Sequence, residues 1–246
     1  MSAMLLARGH RLAGLAGLSG ALLFFVGDML FYGYPGPGDG FAEGLLATVR
    51  AASEQRLFAG GLVAPLAASL CIVGFWHVFP NVRAEASWAG RAMFVCFFLL
   101  MVAGSGIHML WTAKGLALKY CSAPTAACPE LLAAIRSYWS LAYELGAAPG
   151  YAGCALLAVL VLLGKTRYPR WTVLANPALL LALSPLATRL PSPLGAPLVG
   201  GSANLSIAAF FFVSTITTWE TGGGRRAPPC AAMARSIAAE SSATGR

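Results

Sequence analysis

The sequence predicts an all-α fold, a polytopic transmembrane bundle of six helices. Three observations lead there. Six stretches are apolar and long enough to cross a bilayer: Leu12–Gly33, Leu57–Phe79, Ala92–Ala113, Ile135–Leu163, Trp171–Leu190 and Pro197–Trp219; a spanning helix takes roughly 20 such residues. The chain is 58% hydrophobic and only 11% charged, against about 25% in soluble domains, so much of its surface has to face lipid. Every tryptophan lies near a span end, the headgroup level that Trp favours. Trp76, Trp88, Trp171 and Trp219 mark one side; Trp111 and Trp139, with Tyr32, Tyr34 and Tyr138, mark the other.

Span one follows Arg8 and Arg11, as in a signal peptide, but its apolar run continues to Phe31 with no small-residue cleavage site, so it is expected to stay as a helix. Tyr34-Pro35-Gly36-Pro37-Gly38-Asp39-Gly40 stops that helix in a turn. Phe41 to Arg56 then reads as a short amphipathic helix on the outer membrane surface, with an ordinary connection as the alternative. Spans two to four follow in alternating direction. Span five carries Pro177 and Pro185 and is expected to kink, or to break at Leu183-Ser184-Pro185. The rows Ala13/Gly17/Ala21, Gly60/Ala64/Ala68 and Gly146/Gly150 are small-residue seams that let helices approach closely. Residues 1–220 are expected to form one membrane domain. The tail Thr221–Arg246 is rich in Gly, Ala, Ser and Arg and is expected to be disordered and cytoplasmic.

The net charge of +8 does not indicate nucleic acid, because the Lys and Arg residues are not gathered into one aromatic-interleaved patch. They sit between spans. With the amino terminus inside, eleven fall on the cytoplasmic side and six outside, so both termini are expected in the cytoplasm. Which membrane holds the chain is not legible.

Cys121 and Cys128 share the second outer loop and form a disulfide if that side is oxidising. Cys71, Cys96 and Cys154 fall inside spans and read as buried apolar residues. With no C-x-x-C pair a zinc ribbon is excluded; no metal and no cofactor are expected. No phosphate-binding G-x-x-x-x-G-K-[ST] loop is present, which excludes a P-loop ATPase.

Ionisable groups inside spans cost about 2.5–3.5 kcal/mol each on insertion scales, so they mark candidate sites. Asp28 lies about 5 residues below the outer end of span one, roughly 8 Å at 1.5 Å per residue. His108 is at a similar depth in span three, Asn204 about 7 residues down in span six, and Glu144 about 9 down in span four. Tyr32 is the i+4 neighbour of Asp28. Asp28, Tyr32, His108, Glu144 and Asn204 are therefore the candidate ligand-binding residues of one polar layer. Two acids there would repel when both ionised, so one is expected to hold a proton. The competing reading is that these groups only hold helices together. His77, beside Trp76, and Asn176 belong to the opposite end; His77 reads as an interfacial histidine. The sequon Asn204-Leu205-Ser206 lies inside a span and is discounted.

The run Gly27-Asp28-Met29-Leu30-Phe31-Tyr32-Gly33, closing a first span and followed by Gly-Pro turns, resembles the first helix of an uncharacterised family of small six-helix integral membrane proteins. The resemblance reaches to about Trp219 and implies architecture but no substrate. Zinc hydrolases of the ceramidase and adiponectin-receptor type need three convergent histidines; this chain has His10, His77 and His108, with His10 outside the spans, so that resemblance fails. The set His108, Glu144 and Asn204 is loosely similar to sterol-isomerase-like five-helix proteins, but helix number and spacing differ.

Three function classes remain. The first is a pocket that binds or moves a lipid or small amphiphile among its membrane-lipid partners. The second is an intramembrane enzyme exchanging a proton between Glu144 or Asp28 and His108. The third is a structural or assembly protein without ligand. No catalytic residue is assigned, and the oligomeric state is not legible.

Overall fold

The computed structural model describes residues 3–121 and 128–219, with side chains from residue 9. The tail 221–246, with its four arginines and Cys230, lies outside them, as do the side chain of Arg8 and loop residues 122–127. Among the described residues the fold is helical, with one isolated bridge, Val82 to Thr166, in place of a sheet.

Four helices are long and apolar enough to cross a membrane: α1 (Ala3–Tyr32), α3 (Glu54–Val78), α4 (Ser87–Tyr120) and α5 (Cys128–Leu162). This is the make-up of a helical membrane protein. Its lipid-facing surface is correspondingly apolar: Leu62, Leu66, Val102, Leu145 and Trp88 all stand exposed around the bundle. Helix α5 packs on α4, α4 on α3, α3 on α1, and α1 on α8 (Ser202–Thr217), a shorter apolar helix.

Small residues set the α1–α3 crossing. A Cβ built on Gly17 would stand 2.7 Å from the Cα of Gly74, and one on Gly20 2.6 Å from the Ala67 carbonyl oxygen. The two backbones touch there, with Ala21, Ala64, Ala67 and Ala68 buried alongside. On the α4–α5 seam, Gly146 faces Ala103 and Gly150 faces Leu100.

Helix ends are closed by named groups. Ser53 caps α3, its hydroxyl accepting from the Arg56 N–H at 3.2 Å. Helix α5 ends in a Schellman turn: Gly164 has φ of 67°, Lys165 N–H donates to the Leu160 carbonyl and Gly164 N–H to that of Val161. Helix α1 has no basic residue in its last turn. Arg56 serves instead from α3, donating to the carbonyls of Leu30 (2.7 Å), Met29 (3.0 Å) and Gly33 (3.0 Å). Leu30 lies in the last turn, whose carbonyls a helix terminus leaves without intrahelical partners, Met29 also accepts from the Gly33 N–H at 3.0 Å, and a cation there also offsets the dipole. Arg56→Ala is expected to cost about 2 kcal/mol, read as a lower thermal unfolding midpoint in detergent. Lysine, with no planar fork, should recover only part of it.

The amphipathic stretch forms α2 (Phe41–Ala51). It packs against α1 and α4. Val49 is buried with Phe31, Tyr32 and Leu57, while Glu43 and Arg50 point outward. Lys119 of α4 closes its last turn through the Ala52 carbonyl at 2.8 Å, and the Tyr120 hydroxyl donates to Glu54.

The expected fifth helix is not a single helix. After the Schellman turn, Arg83 N–H donates to the Lys165 carbonyl and Arg167 N–H to that of Asn81, at one end of the bundle. At the other end Gly38 N–H donates to the Leu190 carbonyl and Ala196 N–H to that of Gly36. Between them run a 3-10 turn (Arg170–Ala175), α6 (Pro177–Ala182) and a second 3-10 turn (Ser184–Arg189). The breaks have local causes. Asn176 caps α6, accepting from the Ala178 N–H at 3.0 Å, with Pro177 in the first turn. Pro185 opens the next piece. The sixth stretch is also divided, into α7 (Gly195–Gly200) and α8, at Gly201, which lies against the Phe25 ring.

At the Asn81 end a buried polar cluster ties the chain together. Tyr168 hydroxyl meets Ser214 Oγ at 2.7 Å and accepts from Asn81 Nδ2 at 3.2 Å. Burial pushes the Tyr168 phenol well above its ordinary pKa, so it works as a neutral hydrogen-bonding group. His77 is buried in this cluster instead of sitting at the interface. Its Nδ1 lies 2.8 Å from the His10 carbonyl, and its Nε2 3.3 Å from Thr218 Oγ1.

Candidate functional site

A cavity of about 370 Å³ lies between α1, α4, α5 and α8. Each wall is one helical stripe. Helix α1 supplies Phe24, Asp28 and Tyr32; α4 supplies Phe97, Met101, Gly104, His108 and Trp111. Helix α5 supplies Trp139, Tyr143, Ala147, Gly150 and Cys154, and α8 supplies Ala203, Asn204 and Ile207. On α1, α4 and α5 these recur every three or four residues, the spacing that keeps side chains on one helix face. From Trp111 to Phe97 the α4 wall runs about 20 Å.

The cavity is polar at one level. Asn204 Nδ2 donates to Asp28 Oδ2 at 2.7 Å. His108 Nε2 lies 3.6 Å from Asp28 Oδ1, beyond a direct hydrogen bond. Asp28 is 5% exposed and His108 7%. The other ring nitrogen of His108 is buried without a hydrogen-bond partner. The Tyr32 hydroxyl lies against Asp28, as the spacing predicts, and also donates to the Gly200 carbonyl at 3.2 Å, tying α1 to α7.

Below this level the walls are apolar. The floor is a ring stack, with Phe75 4.1 Å from Phe97 and 4.8 Å from Phe211. Above it, Phe41 and Leu45 of α2 lie over the mouth. Trp111 and Trp139 meet edge to face at 5.7 Å, and the Lys114 ammonium sits 4.1 and 4.2 Å from their ring centres. Tyr143, Tyr151 and Ala203 line the cavity yet are exposed at the bundle surface. The cavity is therefore also open sideways, between α5 and α8.

Of the candidate residues, Asp28, Tyr32, His108 and Asn204 line this cavity, and Glu144 does not. Glu144 follows Tyr143 by one residue, a turn of about 100° in a helix of 3.6 residues. That step puts it on the exposed face with Leu141, Leu145 and Ala148. With Glu144 outside, the repulsion argument for a shared proton between two acids does not apply. The sequence reading also passed over the aromatic walls. Trp139, Tyr143, Ala147, Gly150 and Cys154 form a stripe that was there to be seen.

Cys121 and Cys128 are joined by a disulfide, Cα to Cα 5.4 Å. Cys71 and Cys154 are buried free thiols, and Cys96 is half-buried. Among the described residues no group of three His, Cys, Asp or Glu is placed to hold a metal.

These features define a helical membrane protein with a cavity inside its bundle. Residues 9–221 match the family of unknown function DUF6796, and the chain belongs to that family. No curated protein and no solved structure matches it.

Proposed function

We propose that this protein crosses the membrane six times and binds a lipid or small amphiphile in the cavity between α1, α4, α5 and α8. The single observation that carries the reading is the cavity's division: one polar level at Asp28, His108 and Asn204 above an apolar shaft. A single-chain amphiphile has that division too. The side opening by Tyr143 and Tyr151 gives such a molecule a route from the bilayer. Two further crossings are supported by chain length. Residues 170–189 rise on the order of 30 Å in mixed 3-10 and α form, enough for a hydrocarbon core. Pro177, Ala178 and Leu181 of this stretch line the cavity, where irregular backbone is tolerated, while Ser184–Arg189 has no buried residue. Charge distribution favours both termini in the cytoplasm, which puts the Cys121–Cys128 bridge on the opposite side.

A proton-transfer enzyme is the second reading. The proximity of His108 to Asp28 favours it in a form that does not use Glu144.

Gly104 gives the test. It lines the cavity, and a Cβ there would meet only Phe24, at 4.0 Å, whereas a Cβ on Gly106 would meet nothing and points outward. Gly104→Phe is expected to fill the shaft, and Gly106→Phe to leave it open. Mass spectrometry of purified wild type and the Gly106 variant should find a co-purified amphiphile that the Gly104 variant lacks. Equal lipid content in all three, with all three folded, would leave a structural role.

A further inference from the structure

We infer that the amphiphile this cavity selects carries a protonated amine as its head. The inference rests on the binding reading above and adds the sign of the charge. Among the described residues Asp28 is the single acidic side chain lining the cavity, and no Lys or Arg lines it. Phe24, Trp139 and Tyr143 are among the rings that line it, and an aromatic ring attracts a cation that sits over its face. An amine head can take the proton of an acid in such a water-poor site, and the low dielectric magnifies the attraction within the ion pair so formed.

The nearby cations are engaged elsewhere. Lys114 is clamped between Trp111 and Trp139 at the mouth. Arg56 is spent on three α1 carbonyls. His108 lies too far from Asp28 for a direct hydrogen bond. The carboxylate has about four lone-pair sites; Asn204 fills one and the Tyr32 hydroxyl lies against another. An ammonium with N–H donors can use the remaining sites; a quaternary ammonium has no donor to give. A carboxylate or phosphate head would meet Asp28 as a like charge. A hydroxyl head would donate one bond and gain nothing from the rings. Below, the apolar shaft down to Phe97 accepts a saturated chain.

The test uses the full chain in detergent with three probes of one chain length: hexadecylamine, hexadecanol and hexadecanoate, at neutral pH. The reading is the concentration at which each raises the thermal unfolding midpoint. The amine should act at about tenfold lower concentration than the alcohol, one charge-assisted contact's worth of selectivity. In Asp28→Asn that advantage should vanish, so that amine and alcohol act at the same concentration. In Tyr143→Leu, which keeps the acid, the advantage should shrink without vanishing. Equal responses to all three probes would overturn the amine inference and leave the cavity reading intact. A preference for hexadecanoate would overturn it as well. No response to any probe, in wild type or variants, would bring down the cavity reading and this inference together.

Discussion

Gly17→Ala should strongly destabilise the protein. A new Cβ would stand 2.7 Å from the Cα of Gly74 and 2.8 Å from the Phe211 ring. A flexible side chain can move aside, but the α3 backbone cannot without separating the two most extensively packed helices, α1 and α3. Overpacking costs about 1–3 kcal/mol, more where the obstruction is rigid, and the upper end is expected here. Gly17→Leu should prevent assembly. Gly106→Ala is the control, since a Cβ there meets nothing within 4 Å; it should gain up to about 1 kcal/mol of helix propensity. Thermal unfolding in one detergent ranks the three. A neutral Gly17→Ala would mean the α1–α3 crossing is looser than described.

Asp28 should divide sharply by substituent. Asp28→Asn keeps the shape and an oxygen that still accepts from Asn204, whose amide lies 2.7 Å from the carboxylate, so the fold should survive. Asp28→Leu strands the Asn204 amide and takes the acid from beside His108. A buried donor left without its acceptor costs about 1–3 kcal/mol. The unfolding midpoint of the Leu variant should therefore fall while that of the Asn variant stays near wild type. The reverse order would mean that Asp28 is held by its charge and not by its hydrogen bond.

Depth was legible in the sequence, and azimuth was not. Counting residues from span ends put Asp28, His108 and Asn204 in one layer, because alternating helices with a fixed rise leave little freedom in depth. The three do meet. The same count admitted Glu144, which fails because one residue swings a side chain by about 100°. The apolar neighbours Leu141 and Leu145 carried that information. On the partner face Tyr143, Ala147 and Gly150 look aromatic or small, and so read as packing.

Other misses share one cause, competition from tertiary partners that no local pattern names. The α2 stripe was visible, but Val49 buries itself against Phe31 and Leu57 instead of lipid. The prolines of the fifth stretch announced a break. They did not announce that Asn176 would restart a helix of only six residues. His77 had an interfacial neighbour in Trp76, yet its hydrogen bonds run inward to His10 and Thr218. The small-residue rows were the more dependable signal, because close backbone approach tolerates nothing larger.

The central claim is that side chains from the first, third and sixth apolar stretches converge on one cavity while Glu144 faces away. Paired cysteines in membranes, in a background without Cys71, Cys96, Cys154 and Cys230, test it most directly with a short bifunctional thiol reagent. Asp28→Cys with Asn204→Cys, and His108→Cys with Asp28→Cys, should cross-link within one chain. Glu144→Cys with Asn204→Cys should not. Efficient linking of the Glu144 pair, with the Asp28 pairs unlinked, would contradict the account.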